Sequence, residues 1–296
     1  MNIFMTGAAG FVGRHIFRTL KDKGHSITCL LRPGSDADQV PGAKIVRGQI
    51  WEPRALTNAL ENADAVIHLV GIIQERRTQG ITFESVHFEG TRNLVIESQK
   101  VGIKKFLHMS ALGVRPHAVS EYHKSKWSAE EFLRVSGVPH TIFRPSVIFG
   151  EMPCAFLQTL FGLASAPVFT PVIGTGQSRL QPVFAGDVAR CFEHALTDPK
   201  TAGQTYELGG PQSYSFVELM DLIESKLRRT KIKLHLPLWY MKFVASVMDL
   251  LPFPMPLSRD QLKMLAEDNT CDPKIIQSHF GFAPQPFKEW LATLAL

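Results

Sequence analysis

Thr6-Gly7-Ala8-Ala9-Gly10-Phe11-Val12-Gly13 follows directly on an apolar opening, Asn2-Ile3-Phe4-Met5. The stretch reads as strand, glycine turn and helix, the arrangement that holds a dinucleotide pyrophosphate. Gly7 permits the tight turn. Gly10 removes a Cβ that would stand in the way of phosphate oxygens, and Gly13 lets the helix pack closely on the strand. The amides around Gly10, Phe11, Val12 and Gly13, with the positive dipole end of the helix, then face the phosphates.

Working outward, His25-Ser26-Ile27-Thr28-Cys29-Leu30-Leu31 reads as the second strand, after a helix stop at Gly24. An NAD-type site usually places an acidic residue at the end of this strand for the ribose hydroxyls; here the residue is Arg32. Arg14 begins the helix beside it. Two guanidinium groups converging on a ribose 2′-phosphate favour NADP(H), with NAD(H) as the second choice.

Strand and helix signals then alternate through the first half of the chain, as a doubly wound parallel sheet (an α/β Rossmann fold) requires. Strands are expected at 44–47, 64–70, 105–110 and 140–144. Helices are expected from Pro53 to about residue 61, over 83–100, and from a cap at Ser120 to Gly137. The pattern loosens into a Pro- and Gly-rich stretch over 153–176. It returns to a helix near 187–196 and a strand at 205–208. Ser215 with Glu218, and Ser258 with Gln261, form capping boxes. The expected organisation is a dinucleotide-binding domain over 1–150, with 177–210 returning to it. A small, irregular, mostly helical lobe for substrate or partner would comprise 151–176 and 211–296.

At 296 residues, 45% hydrophobic and 20% charged, the chain has the composition of a folded α/β protein and not of a disordered one. The first residues are taken up by the opening strand, so no leader is expected, and no apolar run suffices to span a bilayer. Four cysteines, Cys29, Cys154, Cys191 and Cys271, lie far apart without a C-x-x-C pair. The eleven histidines show no ligand spacing, so no metal is expected and a reducing, cytoplasmic setting is. The net charge of +5 is dispersed, with only Arg228-Arg229-Thr230-Lys231-Ile232-Lys233 clustered, so no nucleic-acid partner is expected.

The chemistry candidate is Tyr122-His123-Lys124-Ser125-Lys126. Tyr122 and Lys126 are four apart and share a helix face. An ammonium beside a phenol is expected to lower its pKa, making it a proton donor and acceptor near neutrality. Ser110, ending the preceding strand, would donate a hydrogen bond to a substrate carbonyl.

These residues together resemble the short-chain dehydrogenase/reductase superfamily in its extended or atypical, NAD-dependent epimerase/dehydratase-like branch. His87-Phe88-Glu89-Gly90-Thr91-Arg92-Asn93 is similar to the N-x-x-G-T-x-N segment of extended enzymes, with His87 in place of Asn. Arg144-Pro145-Ser146-Val147-Ile148-Phe149-Gly150, Gln181-Pro182-Val183-Phe184-Ala185-Gly186-Asp187-Val188 and Leu208-Gly209-Gly210-Pro211 fit the same branch. A narrower likeness rests on Leu69-Val70-Gly71, Ser110-Ala111-Leu112-Gly113, Arg144-Pro145-Ser146 and Leu257-Ser258-Arg259-Asp260-Gln261-Leu262. It is to the nucleotide-binding accessory subunits of respiratory complex I and their bacterial relatives.

The resemblance implies that Gly7, Gly10 and Gly13 hold pyrophosphate, that Arg14 and Arg32 hold the 2′-phosphate, and that Val70 and Gly71 adjoin the cofactor. It further implies that Lys126 binds the nicotinamide ribose and that the backbone of Pro145, Ser146 and Val147 meets the carboxamide. Tyr122 would be the acid/base and Ser110 its carbonyl partner. Two departures stand out: Gln49-Ile50 where many relatives place an acid near adenine, and His87 for the Asn that steadies the active-site backbone. The function expected is an NADP(H)-binding oxidoreductase moving hydride between nicotinamide and a carbonyl or hydroxyl substrate. The alternatives are a non-catalytic accessory or assembly subunit of a respiratory complex, and a nucleotide-sugar epimerase or dehydratase, against which Arg32 counts.

Substrate specificity would lie in loops such as 72–80, with Arg76 and Arg77, and 153–176. Residues 237–257 form the most apolar part of the small lobe. A helix over 238–251 would carry Lys242, Ser246 and Asp249 on one narrow stripe. The segment either packs as core between the sheet and the Ser258 helix or forms an exposed patch; partial exposure around Trp239, Phe243 and Phe253 is expected, docking on a membrane surface or on a respiratory-complex partner at the inner membrane.

Overall fold

In the computed structural model, residues 1–151, 154–237, 239–240 and 258–295 are described. They form two compact units, 1–145 with 185–208, and 146–184 with 209–296. The divisions fall at the end of a sheet strand and at the start of a helix. Residues 177–184 therefore stay with the second unit, and the expected return begins at Ala185.

The elements run β1 (Asn2–Thr6), α1 (Phe11–Asp22), β2 (Ser26–Leu31), β3 (Lys44–Arg47), α2 (Pro53–Leu60), β4 (Ala65–His68), α3 (Gly90–Lys100), β5 (Lys105–Met109), α4 (Glu121–Val135) and β6 (His140–Pro145). They continue as β7 (Ile148–Phe149), α5 (Ala155–Ala164), β8 (Thr170–Ile173), β9 (Arg179–Leu180), β10 (Val183–Phe184), α6 (Ala185–Thr197), β11 (Thr205–Leu208), β12 (Tyr214–Ser215), α7 (Phe216–Lys226) and β13 (Lys233–Leu236). Three short helices close the chain: α8 (Arg259–Leu265), α9 (Ile275–Phe280) and α10 (Phe287–Thr293).

The first unit is a seven-stranded sheet in the order β11-β6-β5-β4-β1-β2-β3, parallel throughout. Central strands covered on both faces must be apolar on both faces, and Ile3, Phe4 and Met5 in β1 and all of β4 are buried accordingly. The order reverses at β1, between β4 and β2, so the crevice at the carboxyl ends of β1 and β4 is the topological switch point.

Helix α1 buries Val12, Ile16, Phe17 and Leu20 and packs on α6. The Ser120 hydroxyl accepts the His123 amide and starts α4, and Gly137, at φ +77°, turns the chain out of it. Glu130 of α4, fully buried, takes a two-pronged hydrogen bond from Arg144 of β6 at 2.9 and 2.6 Å. Arg134 joins it at 2.7 Å, and both guanidinium groups lie near the Trp127 ring. This network clamps α4, the helix that carries Tyr122 and Lys126, to the sheet.

In the second unit α5 packs on α7. Both capping boxes are present, Ser215 with Glu218 ahead of α7 and Ser258 with Gln261 ahead of α8. Phe149 anchors its aromatic centre, with its ring centroid 5.1 Å from that of Phe287 and 5.1 Å from that of Trp290. The expected helix over 238–251, with Lys242, Ser246, Asp249, Phe243 and Phe253, lies almost wholly outside the described residues. Trp239 is described, and it is exposed.

The expected helix over 83–100 is the one that differs in kind. Residues Glu84–Glu89 are π-helical, and only from Gly90 is the helix α. A π segment is a local widening that re-aims side chains, and it is at His87 that the re-aiming matters.

Candidate active site

The glycine turn is built as its spacing demands. Gly7 has φ +76°, and a Cβ on it would stand 3.0 Å from the backbone of Leu69. A Cβ on Gly13 would lie 2.1 Å from the Gly7 carbonyl oxygen, which backbone cannot accommodate; Gly13 thus lets the first turn of α1 close onto the Gly7–Ala8 backbone. Gly10 is the N-cap and offers no side-chain cap, and the first turn carries no acidic residue. The leading amides of Phe11 and Val12 and the helix dipole are therefore free to meet an anion, and the cradle fits a pyrophosphate.

Arg32 is exposed at the end of β2. Arg14, half-buried, donates to Gln39 Oε1 at 2.7 Å, and Gln39 donates to Asp36 at 2.9 Å. Arg14 thus carries a partner from the 32–39 loop. A third arginine, overlooked in the sequence, shapes the same corner: Arg47, at the end of β3, donates to the carbonyls of Arg32 (3.1 Å) and Ser35 (2.6 Å). Its signal was the register of β3, since Arg47 pairs with Leu31.

Ser110 immediately follows β5. The residue is 4% exposed, and its hydroxyl hydrogen-bonds to no group among the described residues. Lys126 Nζ donates to the Met109 carbonyl at 3.2 Å, next door to Ser110, and lies 5.6 Å from the centre of the Tyr122 ring. A Cβ on Gly71 would stand 3.4 Å from the same ammonium, so Gly71 adjoins Lys126. The three expected groups belong to one neighbourhood at the carboxyl end of the sheet. The electrostatics differ from the expectation of a lysine-lowered phenol: burial raises the Tyr122 pKa, and it lowers that of Lys126 to about 8, with Glu130 pulling the other way. Burial decides the sign for Tyr122, while Lys126 lies 5.6 Å from the ring centre with one of its N–H groups on the Met109 carbonyl.

Beneath this group runs a hydrogen-bonded chain that the sequence did not announce. Ile72 donates its amide to His87 Nε2 at 3.0 Å, so Nδ1 carries the ring proton and donates to Ser125 Oγ at 2.8 Å. Ser125 donates in turn to the Tyr122 carbonyl at 2.9 Å. Thr91 donates to the His87 carbonyl at 2.6 Å and accepts from His68 Nε2 at 3.0 Å, while His68 Nδ1 accepts from Thr6 at 2.7 Å. Both rings are thereby fixed as neutral tautomers. Burial agrees, holding His68 at about 3 and His87 well below the ordinary histidine value. His108 stacks on His68 at 5.3 Å, is buried, and has no partner at either ring nitrogen among the described residues. His87 thus ties the loop after β4 to α4, the tie that an Asn was expected to make; the clue in the sequence was its place in the H-x-x-G-T-x-N segment.

Pro145 ends β6, and its carbonyl accepts the Leu112 amide at 2.9 Å. Ser146 and Val147 belong to the second unit, where the Ser146 hydroxyl binds Asn269 Oδ1 at 2.5 Å and the Val147 carbonyl accepts Val183 at 3.0 Å. Val70 is half-buried, one residue before Gly71. Among the described residues, no group of three or more His, Cys, Asp or Glu side chains could hold a metal, and no helix is long and apolar enough to cross a membrane.

A doubly wound parallel sheet with a glycine cradle at its switch point and a Ser-Tyr-Lys group beside it defines an NAD(P)-binding protein of the short-chain dehydrogenase/reductase type. The chain belongs to the NAD dependent epimerase/dehydratase family, which it matches over residues 3–209. It is 28% identical over 284 residues to NADH dehydrogenase (ubiquinone) 1 alpha subcomplex subunit 9, mitochondrial, of Arabidopsis thaliana, covering 88% of this chain and 69% of that one. It is 30% identical over 251 residues to the photosystem II assembly factor Ycf39 of Synechocystis, covering 83% and 74%. The fold is shared with the NADPH-dependent quinone oxidoreductase QOR2 of Escherichia coli, complexed with NADPH, at a TM-score of 0.77 and 16% identity over 98% of both chains.

Proposed function

We propose that the chain is an NADP(H)-dependent oxidoreductase that moves hydride between nicotinamide and a carbonyl or hydroxyl substrate. The observation that carries this reading is Ser110, a buried hydroxyl without a partner among the described residues, beside the carbonyl that Lys126 grips. An unsatisfied buried donor at a sheet's carboxyl end suits a ligand oxygen. When bound, the nicotinamide supplies the hydride for reduction or takes it up for oxidation. Gly7, Gly10, Phe11, Val12 and Gly13 hold the pyrophosphate; Arg32, with Arg14 released from Gln39 or shared with it, holds the 2′-phosphate. Ser110 donates to the substrate carbonyl oxygen. Tyr122, kept protonated by burial, gives its proton to that oxygen as it gains charge, and Lys126, charged below about pH 8, steadies the phenolate left behind. Val70, Gly71 and Pro145 border the nicotinamide end in this reading.

A second reading, a nucleotide-binding accessory or assembly subunit that keeps its cofactor for stability, has its own support. Two relatives matched over most of the chain are a respiratory-complex subunit and an assembly factor, and burial raises the Tyr122 phenol instead of lowering it. In either reading the protein associates peripherally with a membrane or a complex. Calorimetric titration with NADPH and NADH, together with identification of the nucleotide that copurifies, tests the shared basis. Tight NADPH binding is expected, and absence of binding to either nucleotide overturns both readings.

A further inference from the structure

The two-stranded sheet of the second unit, β8 with β13, is parallel, with Lys233 opposite Thr170, Leu234 opposite Pro171, His235 opposite Val172 and Leu236 opposite Ile173. Side chains alternate between its faces. One face is satisfied internally: Val172 is buried, the Thr170 hydroxyl donates to the buried Glu224, and Lys233 pairs with Asp221. The other face presents Phe169, Pro171, Ile173, Ile232, Leu234 and Leu236. Ile232 is 82% exposed, and Phe169 and Leu234 are exposed as well. This reverses the usual patterning, in which a two-stranded sheet turns its apolar side inward.

The margin of this face says what it meets. Residues 225–240 contain five Lys or Arg and no Asp or Glu, and residues 154–178 contain no charged side chain. Arg228 and Arg229 are exposed and form no ion pair among the described residues. Trp239, 72% exposed, and Tyr240 follow directly on β13. Apolar side chains flanked in sequence by exposed arginines and amphipathic aromatic rings complement an anionic bilayer surface: the chains enter the headgroup boundary, the rings sit at its polar level, and the guanidinium groups meet phosphates. We propose that the Phe169–Ile232–Leu234 face, with the exposed Arg228 and Arg229 just ahead of β13 in the chain and Trp239 just after it, is a docking surface for anionic phospholipid. This rests on the peripheral-association part of the proposed function and gives it a surface outside residues 241–257.

Flotation of the full chain with phosphatidylcholine vesicles, with and without phosphatidylglycerol, tests it. The wild type is expected to float with the anionic vesicles and much less with neutral ones. Ile232→Ser with Leu234→Ser should weaken partitioning roughly tenfold or more. Arg228→Gln with Arg229→Gln should weaken it about fivefold for each charge and leave the thermal midpoint unchanged, which keeps the test open if the serine pair fails to fold. Undiminished flotation of both double variants overturns this surface while leaving peripheral association standing on other residues. Failure of the wild type to float overturns both. A dimer dissolved by the serine pair assigns the face to a second copy and overturns the proposal.

Discussion

Replacing His108 with Leu should stabilise the protein and make it less sensitive to acid. In the wild type both ring nitrogens of His108 are buried without a partner among the described residues, a cost of about 1–3 kcal/mol that an apolar side chain of similar size avoids. The variant should therefore be about 1–2 kcal/mol more stable at pH 7. The pH dependence adds a second magnitude. Burial lowers the pKa of His68, His87 and His108 in the folded state, to about 3 for His68. Below the ordinary histidine value the unfolded chain takes up protons that the folded chain refuses, so stability falls with pH by about 1.4 kcal/mol per unit for each such ring. For His68 the loss runs from about pH 6.5 down to about 3. Between pH 7 and pH 5 His68 contributes a loss of about 2 kcal/mol, and His87 and His108, lowered in the same direction by burial, add to it. His108→Leu should make that loss smaller, by the part that belongs to the His108 ring. Urea denaturation of both proteins at pH 7 and pH 5 measures both quantities. A variant less stable than wild type at pH 7, with an undiminished loss at pH 5, would refute the reasoning.

Other outcomes follow from the same geometry. Arg32→Ala should weaken NADPH binding by about 1.5–3 kcal/mol and leave NADH nearly unchanged, read by calorimetry; equal losses for both nucleotides would remove Arg32 from the 2′-phosphate. Gly13→Ala forces a Cβ to within 2.1 Å of the Gly7 carbonyl, so nucleotide affinity should collapse, and retained affinity would contradict the cradle. His87→Ala strips the Ile72 amide and the Ser125 hydroxyl of partners and should cost about 3–5 kcal/mol, whereas His87→Asn should recover part of it; the two denaturation curves decide. If the Lys126 ammonium is needed for turnover, kcat/KM should decline above about pH 8 as that group loses its proton, and a flat profile to pH 10 would separate activity from its charge.

The parts legible in the sequence were those governed by local rules. Gly7 and Gly13 are dictated by backbone sterics, and the caps at Ser120, Ser215 and Ser258 by helix ends that need acceptors, so position alone announced them. The Tyr122–Lys126 spacing placed both groups on one helix face, but the sign of the Tyr122 shift depended on burial, which spacing does not report. The histidine chain was hidden for a related reason. His68, His87 and His108 are separated by 19 or more residues, and only the parallel register of β4 with β5 and the π segment at 84–89 bring them together. Arg47 is legible once β3 is paired with β2, since that pairing sets it beside the 32–35 loop.

The most direct test of hydride transfer with Tyr122 as proton donor is the rate of NADPH oxidation by wild type and Tyr122→Phe across a panel of aldehydes, ketones and quinones, with bound NADPH quantified in both. Turnover by the wild type, lost in a variant that still binds NADPH, is the predicted result. Equal rates in the two proteins, or no turnover by a wild type that holds the nucleotide, would contradict the account and leave the accessory-subunit reading in its place.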